Sequence, residues 1–189
     1  MRVLVYGFGP YKRFSDNITE KIVGMLPSQP NVKTVVFQVR FHKRQFIDVL
    51  KRHQPDVVIG LGQCARNRAE IESRATNRRR AGKKGSVKPI RRSGAEFLPA
   101  TLEIKLGPQV GRSDNAGDYV CNYSMYVMLD YISRTAGEAK FTFLHIPHDS
   151  DPQKAAALVA RAIKTLQLNT QENTPRTGSL RARSLESPV

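Results

Sequence analysis

Cys121, His145 and Glu72 are the residues of this chain whose types suit covalent chemistry on a carbonyl. A thiol attacks well only as a thiolate, so it needs a histidine to take its proton and a third group to hold the ring in one tautomer. Cys121 stands in "SDNAGDYVCNYSMYVML", where Gly117 permits a sharp turn and an apolar pattern then begins at helical spacing: Tyr123, Met125, Tyr126, Val127, Met128 and Leu129. The thiol therefore sits at or near a helix N-terminus, where unpaired N–H groups and the helix dipole favour an anion. His145 ends the apolar run "FTFLHIP", the exit of a strand toward a ligand face, although for a lone histidine there a structural role is the better reading. His148 is a second histidine in the loop beyond. Glu72 lies in a basic stretch and has a plain alternative, a local ion pair with Arg68 or Arg74.

The other residues narrow the classes. Cys64 and Cys121 are the two cysteines, far apart in sequence, so no disulfide framework is indicated and a reducing cytoplasm is expected. Neither has partners at zinc-like spacing, so no metal is expected. No apolar run is long enough to cross a membrane. The formal charge is +15, concentrated between Arg66 and Arg92 in "NRRRAGKKGSVKPIRR" and its flanks. Such a loop can release counterions from nucleic acid, but no aromatic residues interleave its charges as stacking sites would. A solvated basic loop is the favoured reading, with nucleic acid or an acidic partner kept as the alternative.

The elements that must position these residues alternate strand and helix. "RVLVYGF", "KTVVFQVR", "PDVVIGLG" and "AKFTFLHIP" read as strands, and "AEIESRATN" as a further one. "DNITEKIVGML", capped by Asp16 or Asn17, "HKRQFIDVLKRHQ" and "DPQKAAALVARAIKTLQ" read as amphipathic helices. The alternation predicts an α/β fold: a three-layer sandwich whose mostly parallel central sheet is flanked by helices, with ligands bound beyond the strand C-termini. One domain is expected over residues 1–168. Residues 169–189 lose all periodicity and read as a disordered tail.

"SDNAGDYVCNYSMY" resembles the nucleophile motif of the pyroglutamyl peptidase type I family, the pyrrolidone-carboxylate peptidases, S-x-x-A-G-x-Y-x-C-N-x-x-x-Y. Ser113, Ala116, Gly117, Tyr119, Cys121, Asn122 and Tyr126 fit it. "FLHIP" resembles the family's histidine segment, and "IESRATN" its I-E-R-x-A-x-N strand, with Glu72 and Asn77 on the glutamate and asparagine. "GQCAR" is similar to the G-Q-A-G-G-R loop with one residue missing, and "VLVYGFGPY" to the opening V-L-V-T-G-F-x-P-F. The resemblance implies a cytosolic cysteine exopeptidase that removes N-terminal pyroglutamate (5-oxoproline) from peptides without a cofactor. Cys121 is then the nucleophile, His145 the base and Glu72 its orienting group, with backbone N–H groups around Cys121 as oxyanion donors. Phe8 and Tyr11 fall on the aromatic positions that pack on the lactam ring, and Gln63 on the loop beside them.

The chain also departs from the family pattern. Tyr11 replaces a phenylalanine, Lys12-Arg13 replaces Gly-Gly, the basic loop replaces an Ala-Arg-Ile-Pro-Asp-Asn segment, and "LPATLEIKLGPQVGRSDNAG" leaves little room for a helix the family usually carries. The substrate rim is therefore expected to be shorter and more basic, favouring peptides with an acidic residue beyond the pyroglutamate. The rival function is an altered or inactive member of the fold that binds nucleic acid or an acidic partner through residues 66–92. Self-association stays open.

Overall fold

The computed structural model describes residues 1–11, 15–81 and 84–172. Lys12 and Arg13, and the tail beyond residue 172, lie outside the described residues. In chain order the elements are β1 (Val3–Phe8), α1 (Ile18–Met25), β2 (Val32–Phe37), α2 (Lys43–His53), β3 (Val57–Cys64), β4 (Glu70–Glu72), β5 (Arg74–Thr76), β6 (Arg79–Arg80), β7 (Val87–Lys88), β8 (Phe97–Pro99), β9 (Gly111–Ser113), α3 (Val120–Arg134), β10 (Lys140–Pro147) and α4 (Pro152–Glu172).

The main sheet runs β2-β1-β3-β10-β4-β9. Its first four strands are mutually parallel, β4 is antiparallel to β10, and β9 runs parallel to β4. Burial on both faces explains why β1, β3 and β10 are nearly continuous apolar runs rather than alternating ones. One face carries Tyr6, Phe8, Val58, Phe141 and Phe143 against α2 and α3. The other carries Val3, Val5, Ile59, Leu144 and Ile146 against α1 and α4. This is the three-layer α/β sandwich expected from the alternation.

Two local departures matter for the site. "AEIESRATN" is not one strand: it breaks at Ser73, so that β4 joins the main sheet while β5 pairs with β8 in a separate ribbon. Ser73 is held on both sides, donating its N–H to Ser113 O (2.7 Å) and accepting from Ala100 N (2.8 Å). At the other end of the chain α4 continues to Glu172, four residues beyond Leu168, where the sequence pattern fades. The stretch between β8 and β9 contains no helix, in keeping with Gly107 and Pro108 within it.

The basic stretch is also more ordered than a solvated loop. Arg79–Arg80 and Val87–Lys88 form a short antiparallel ribbon. Much of the charge meets acids: Arg74 pairs with Asp114 (2.8 Å), Arg80 with Asp118 (2.8 Å) and Arg91 with Asp130 (2.8 Å). Arg74 also lies over the Phe97 ring and Arg79 over Phe41. Since Asp114 and Asp118 belong to the turn before α3, the arginines brace the segment that presents Cys121. Among the described residues, no helix is long and apolar enough to cross a membrane.

Candidate active site

Cys121 is the second residue of α3, and no side chain caps that helix. The first intrahelical bond at this end is donated by Tyr123 N to Tyr119 O (2.9 Å), so the N–H groups of Val120, Cys121 and Asn122 precede it at the open helix end. Asn122 fixes the helix start. Its buried amide accepts from Thr76 N and donates to the carbonyls of Thr76 and Arg78, each at 2.8 Å. The helix is thereby pinned to β5 at the residue after the thiol.

Two glycines of β3 leave room above the sheet, Gly60 for the rings of its neighbouring strands and Gly62 for the helix start. A Cβ on Gly60 would come within 2.4 Å of the Phe143 ring and 2.6 Å of the Tyr6 hydroxyl. A Cβ on Gly62 would sit 2.7 Å from Phe143 and 2.8 Å from Cys121 Sγ. Gly62 pairs in register with His145 of β10, so the sulfur rests on the strand position beside the histidine. His145 follows Phe141 and Phe143 at alternate positions of β10 and so projects from the same face, that of α3. Its ring meets Phe143 edge-on, with centroids 5.1 Å apart.

Glu72 comes from β4, which crosses beside β10 with Leu144 opposite Ile71 and His145 opposite Glu70. Its Oε1 lies 2.6 Å from His145 Nδ1. Glu72 has no exposed surface and His145 only 5%. Burial pushes the Glu72 carboxyl up, but the hydrogen bond and charge of His145, with help from Ser113 and Arg66, bring it below the usual range for glutamate. An ionised carboxylate can only accept, so His145 Nδ1 carries the proton and Nε2 is the ring's free acceptor.

The ion pair of Glu72 is not with the arginines nearest in sequence. Arg66 Nη1 donates to Glu72 Oε1 (2.6 Å) and forms an ion pair with Glu70 Oε2 (2.7 Å), while Nη2 donates to Asn115 O (2.7 Å). Arg68 turns to Glu70 and Arg74 to Asp114. Arg66 is the final residue of "GQCAR", the segment in which the sequence points to Gln63 as the site residue.

The helix terminus alone does not ionise the thiol. Burial pushes Cys121 up to about 12, and the charges of Cys64 and Glu72 push the same way. Its own backbone N–H and Arg66 oppose them. The resting residue is therefore a thiol, because desolvation outweighs the helix dipole. Cys64, at the end of β3, is likewise raised by burial, and both cysteines are free.

The remaining expected residues divide. Tyr11 packs against Tyr119 with ring centroids 5.6 Å apart and shares a hydrogen bond with its hydroxyl. Tyr119 in turn meets Phe41 edge-on at 5.3 Å, forming an aromatic wall beside the start of α3. Phe8 lies inside the core, 1% exposed, among Tyr6, Phe37 and Phe46. Gln63 Oε1 accepts from Ile18 N (2.9 Å), capping α1, while Asn17 Oδ1 accepts from Thr19 N (3.0 Å) as the expected cap. His148 faces away to the Cys64 carbonyl (3.3 Å). Asn77 organises the segment after β7, accepting from Ile90 N and Arg91 N and donating to Arg91 O. No cluster of three or more metal-type ligands occurs among the described residues.

Known proteins are similar to this chain in sequence and in fold. A model of the family described as pyroglutamyl peptidase matches residues 98–172, which include Cys121 and His145. A pyrrolidone-carboxylate peptidase of Alkaliphilus oremlandii is 32% identical over 168 residues, spanning 78% of this chain and 79% of its own length. One of Halalkalibacterium halodurans is 31% identical over 168 residues, spanning 77% of this chain and 83% of its own. A solved structure of a mutant pyrrolidone carboxyl peptidase from Pyrococcus furiosus superposes with a TM-score of 0.80 at 26% identity, covering 90% of this chain and all (100%) of the other.

Proposed function

Because this chain belongs to the pyroglutamyl peptidase family, we propose that it is a cysteine exopeptidase that removes an N-terminal pyroglutamyl residue from peptides. The observation that carries this reading is the buried 2.6 Å contact between Glu72 and His145, beside the strand position on which the Cys121 sulfur rests. Cys121 is the nucleophile, His145 the general base and then general acid, and Glu72 the group that fixes the ring.

The chemistry follows from the protonation states. Since Cys121 rests as a thiol, its proton passes to His145 as the sulfur attacks the pyroglutamyl carbonyl carbon. The carbonyl oxygen becomes an oxyanion, and the N–H groups of Cys121 and Asn122 at the open start of α3 stand ready to receive it, a contribution of ~3 kcal/mol when well aimed. Collapse breaks the C–N bond, and the imidazolium returns the proton to the leaving amine. A water, deprotonated by His145, then hydrolyses the thioester and regenerates the thiol. The lactam ring packs against Tyr11, with Gln63 fixing the neighbouring loop through α1, while Phe8 stays within the core and does not face the ring. Free thiols in this site suit a reducing cytoplasm.

The decisive experiment is hydrolysis of a pyroglutamyl fluorogenic amide compared with prolyl and other aminoacyl amides. Release from the pyroglutamyl amide, lost in Cys121→Ala, is the expected result. Equal turnover of all the amides, or none of any, would reject the assignment.

A further inference from the structure

Arg66 reaches three acceptors that the site needs held in place. Two are carboxylates of β4, Glu72 and Glu70, and the third is the carbonyl of Asn115 in the turn before α3. The bond to Glu72 falls on Oε1, the same oxygen that accepts from His145 Nδ1. One guanidinium thus joins the strand that orients the histidine to the turn that carries the nucleophile. Among the described residues none of the neighbouring arginines is seen to do this: Arg74, Arg78 and Arg80 hydrogen-bond to the 114–118 turn, and Arg68 pairs with Glu70.

We propose that Arg66 is a positioning residue for the reaction, keeping Glu72 ionised and its Oε1 aimed at His145 while locking that pair to the Cys121 turn. The inference rests on the reading of Cys121, His145 and Glu72 as the catalytic set. It follows from the cost of an unpaired charge: a fully buried carboxylate facing only one histidine tends to take up a proton. A neutral Glu72 would lose its grip on the Nδ1–H tautomer, leaving the ring free to present the wrong nitrogen to the thiol. The groups that face Glu72 are His145 from β10, Ser113 from β9, Glu70 from its own strand, Arg66 and Cys64 from the end of β3 and the loop after it, and Cys121 from α3. Arg66 is the one permanent cation among them, since arginine stays protonated at every working pH. Burial acts against ionisation of Glu72, so removing Arg66 leaves only His145 and Ser113 to oppose it.

Arg66→Gln and Arg66→Lys test this with two readouts. In the kcat/KM profile on a pyroglutamyl amide, Arg66→Gln should lower kcat by about tenfold or more, leave KM nearly unchanged, and move the acidic limb up by roughly one pH unit. In proton NMR, the far-downfield resonance of a histidine Nδ1–H bonded to a carboxylate should disappear on acidification at a correspondingly higher pH than in the native protein. Arg66→Lys keeps the charge but not the planar fork, so it should restore the acidic limb and recover only part of kcat. An unmoved limb and an unmoved resonance in Arg66→Gln would reduce Arg66 to a scaffold and overturn the proposal. If Arg66→Gln does not fold, Arg66→Lys decides alone, and native kcat in that variant is the overturning result. If the native protein cleaves no pyroglutamyl amide, the proposed function fails, while the NMR titration still judges the role of Arg66.

Discussion

At Cys121 two effects oppose each other, and their sizes decide the resting state. The open end of α3 favours a thiolate by ~0.3–1 kcal/mol in ordinary settings, whereas burial and the neighbouring Cys64 and Glu72 hold the thiol up to about 12. Position at a helix start is readable from the letters and suggests fast alkylation at mildly acidic pH; the surrounding protein is not readable and reverses that expectation. In the absence of substrate, iodoacetamide should modify Cys121 slowly at neutral pH and faster only as pH rises into the alkaline range, followed by mass spectrometry of the Cys121 peptide. Rapid labelling near pH 5 would mean that His145 already holds the sulfur's proton at rest. Cys121→Ala should abolish turnover, by more than ~10⁴-fold, whereas Cys64→Ala should keep most of it because Cys64 has no proton acceptor arranged beside it. Turnover by purified Cys121→Ala would remove it as nucleophile. Glu72→Gln should cost less than His145→Ala, since the amide disturbs the tautomer without removing the base. The partner of Glu72 escaped the sequence for a simple reason: Arg68 and Arg74 are closest along the chain, but the loop after β3 folds back so that Arg66 meets Glu72 while Arg68 meets Glu70.

The elements that form the frame were legible because each carries a local pattern. β1, β3 and β10 are short apolar runs, and α1, α2 and α4 show amphipathic spacing; their bounds fall close to the letters that suggested them. β4 and β5 were legible only as one continuous strand, and β6 to β9 were not legible in this way. They are two or three residues long and are held by distant partners, such as Asn122 on Thr76, Asn77 on Ile90 and Asp118 on Arg80, which no local periodicity records. Gly60 and Gly62 were visible as glycines, but their purpose depends on what packs above them. That purpose separates two otherwise similar substitutions. Gly60→Ala pushes a methyl into Phe143 and Tyr6, away from the sulfur, so it should cost ~1–3 kcal/mol in urea unfolding while folded molecules keep nearly full kcat. Gly62→Ala meets both Phe143 and the Cys121 sulfur, so it should lose comparable stability and also lose turnover per folded molecule. Equal kcat in the two variants would mean that the sulfur moves aside without consequence for the reaction.

Across the whole molecule, the same burial that shapes the site sets how stability responds to pH. Tyr6 has no exposed surface, its hydroxyl lies 2.9 Å from Ser124 Oγ, and burial pushes its phenol far above the ordinary value. Cys121 is raised to about 12 by the same cause. An unfolded chain releases these protons near ~8.5 for cysteine and ~10 for tyrosine, while the folded chain retains them. Above those values the unfolded state binds fewer protons than the native one, so stability falls as pH rises. Glu72 behaves in the opposite sense: held below its ordinary range, it contributes stability above ~4.3, the unfolded value, that is lost as pH falls through its folded one. Urea midpoints measured across pH should therefore decline from about pH 8.5 upward. Cys121→Ala should lessen the earlier part of that decline, to which Cys64, also raised by burial, contributes as well. Tyr6→Phe should flatten the part above pH ~10, while costing about 1 kcal/mol at neutral pH for the lost bond to Ser124. An alkaline slope identical in Tyr6→Phe and the native protein would show that this phenol ionises without unfolding the core, and that the strain above pH ~10 lies elsewhere.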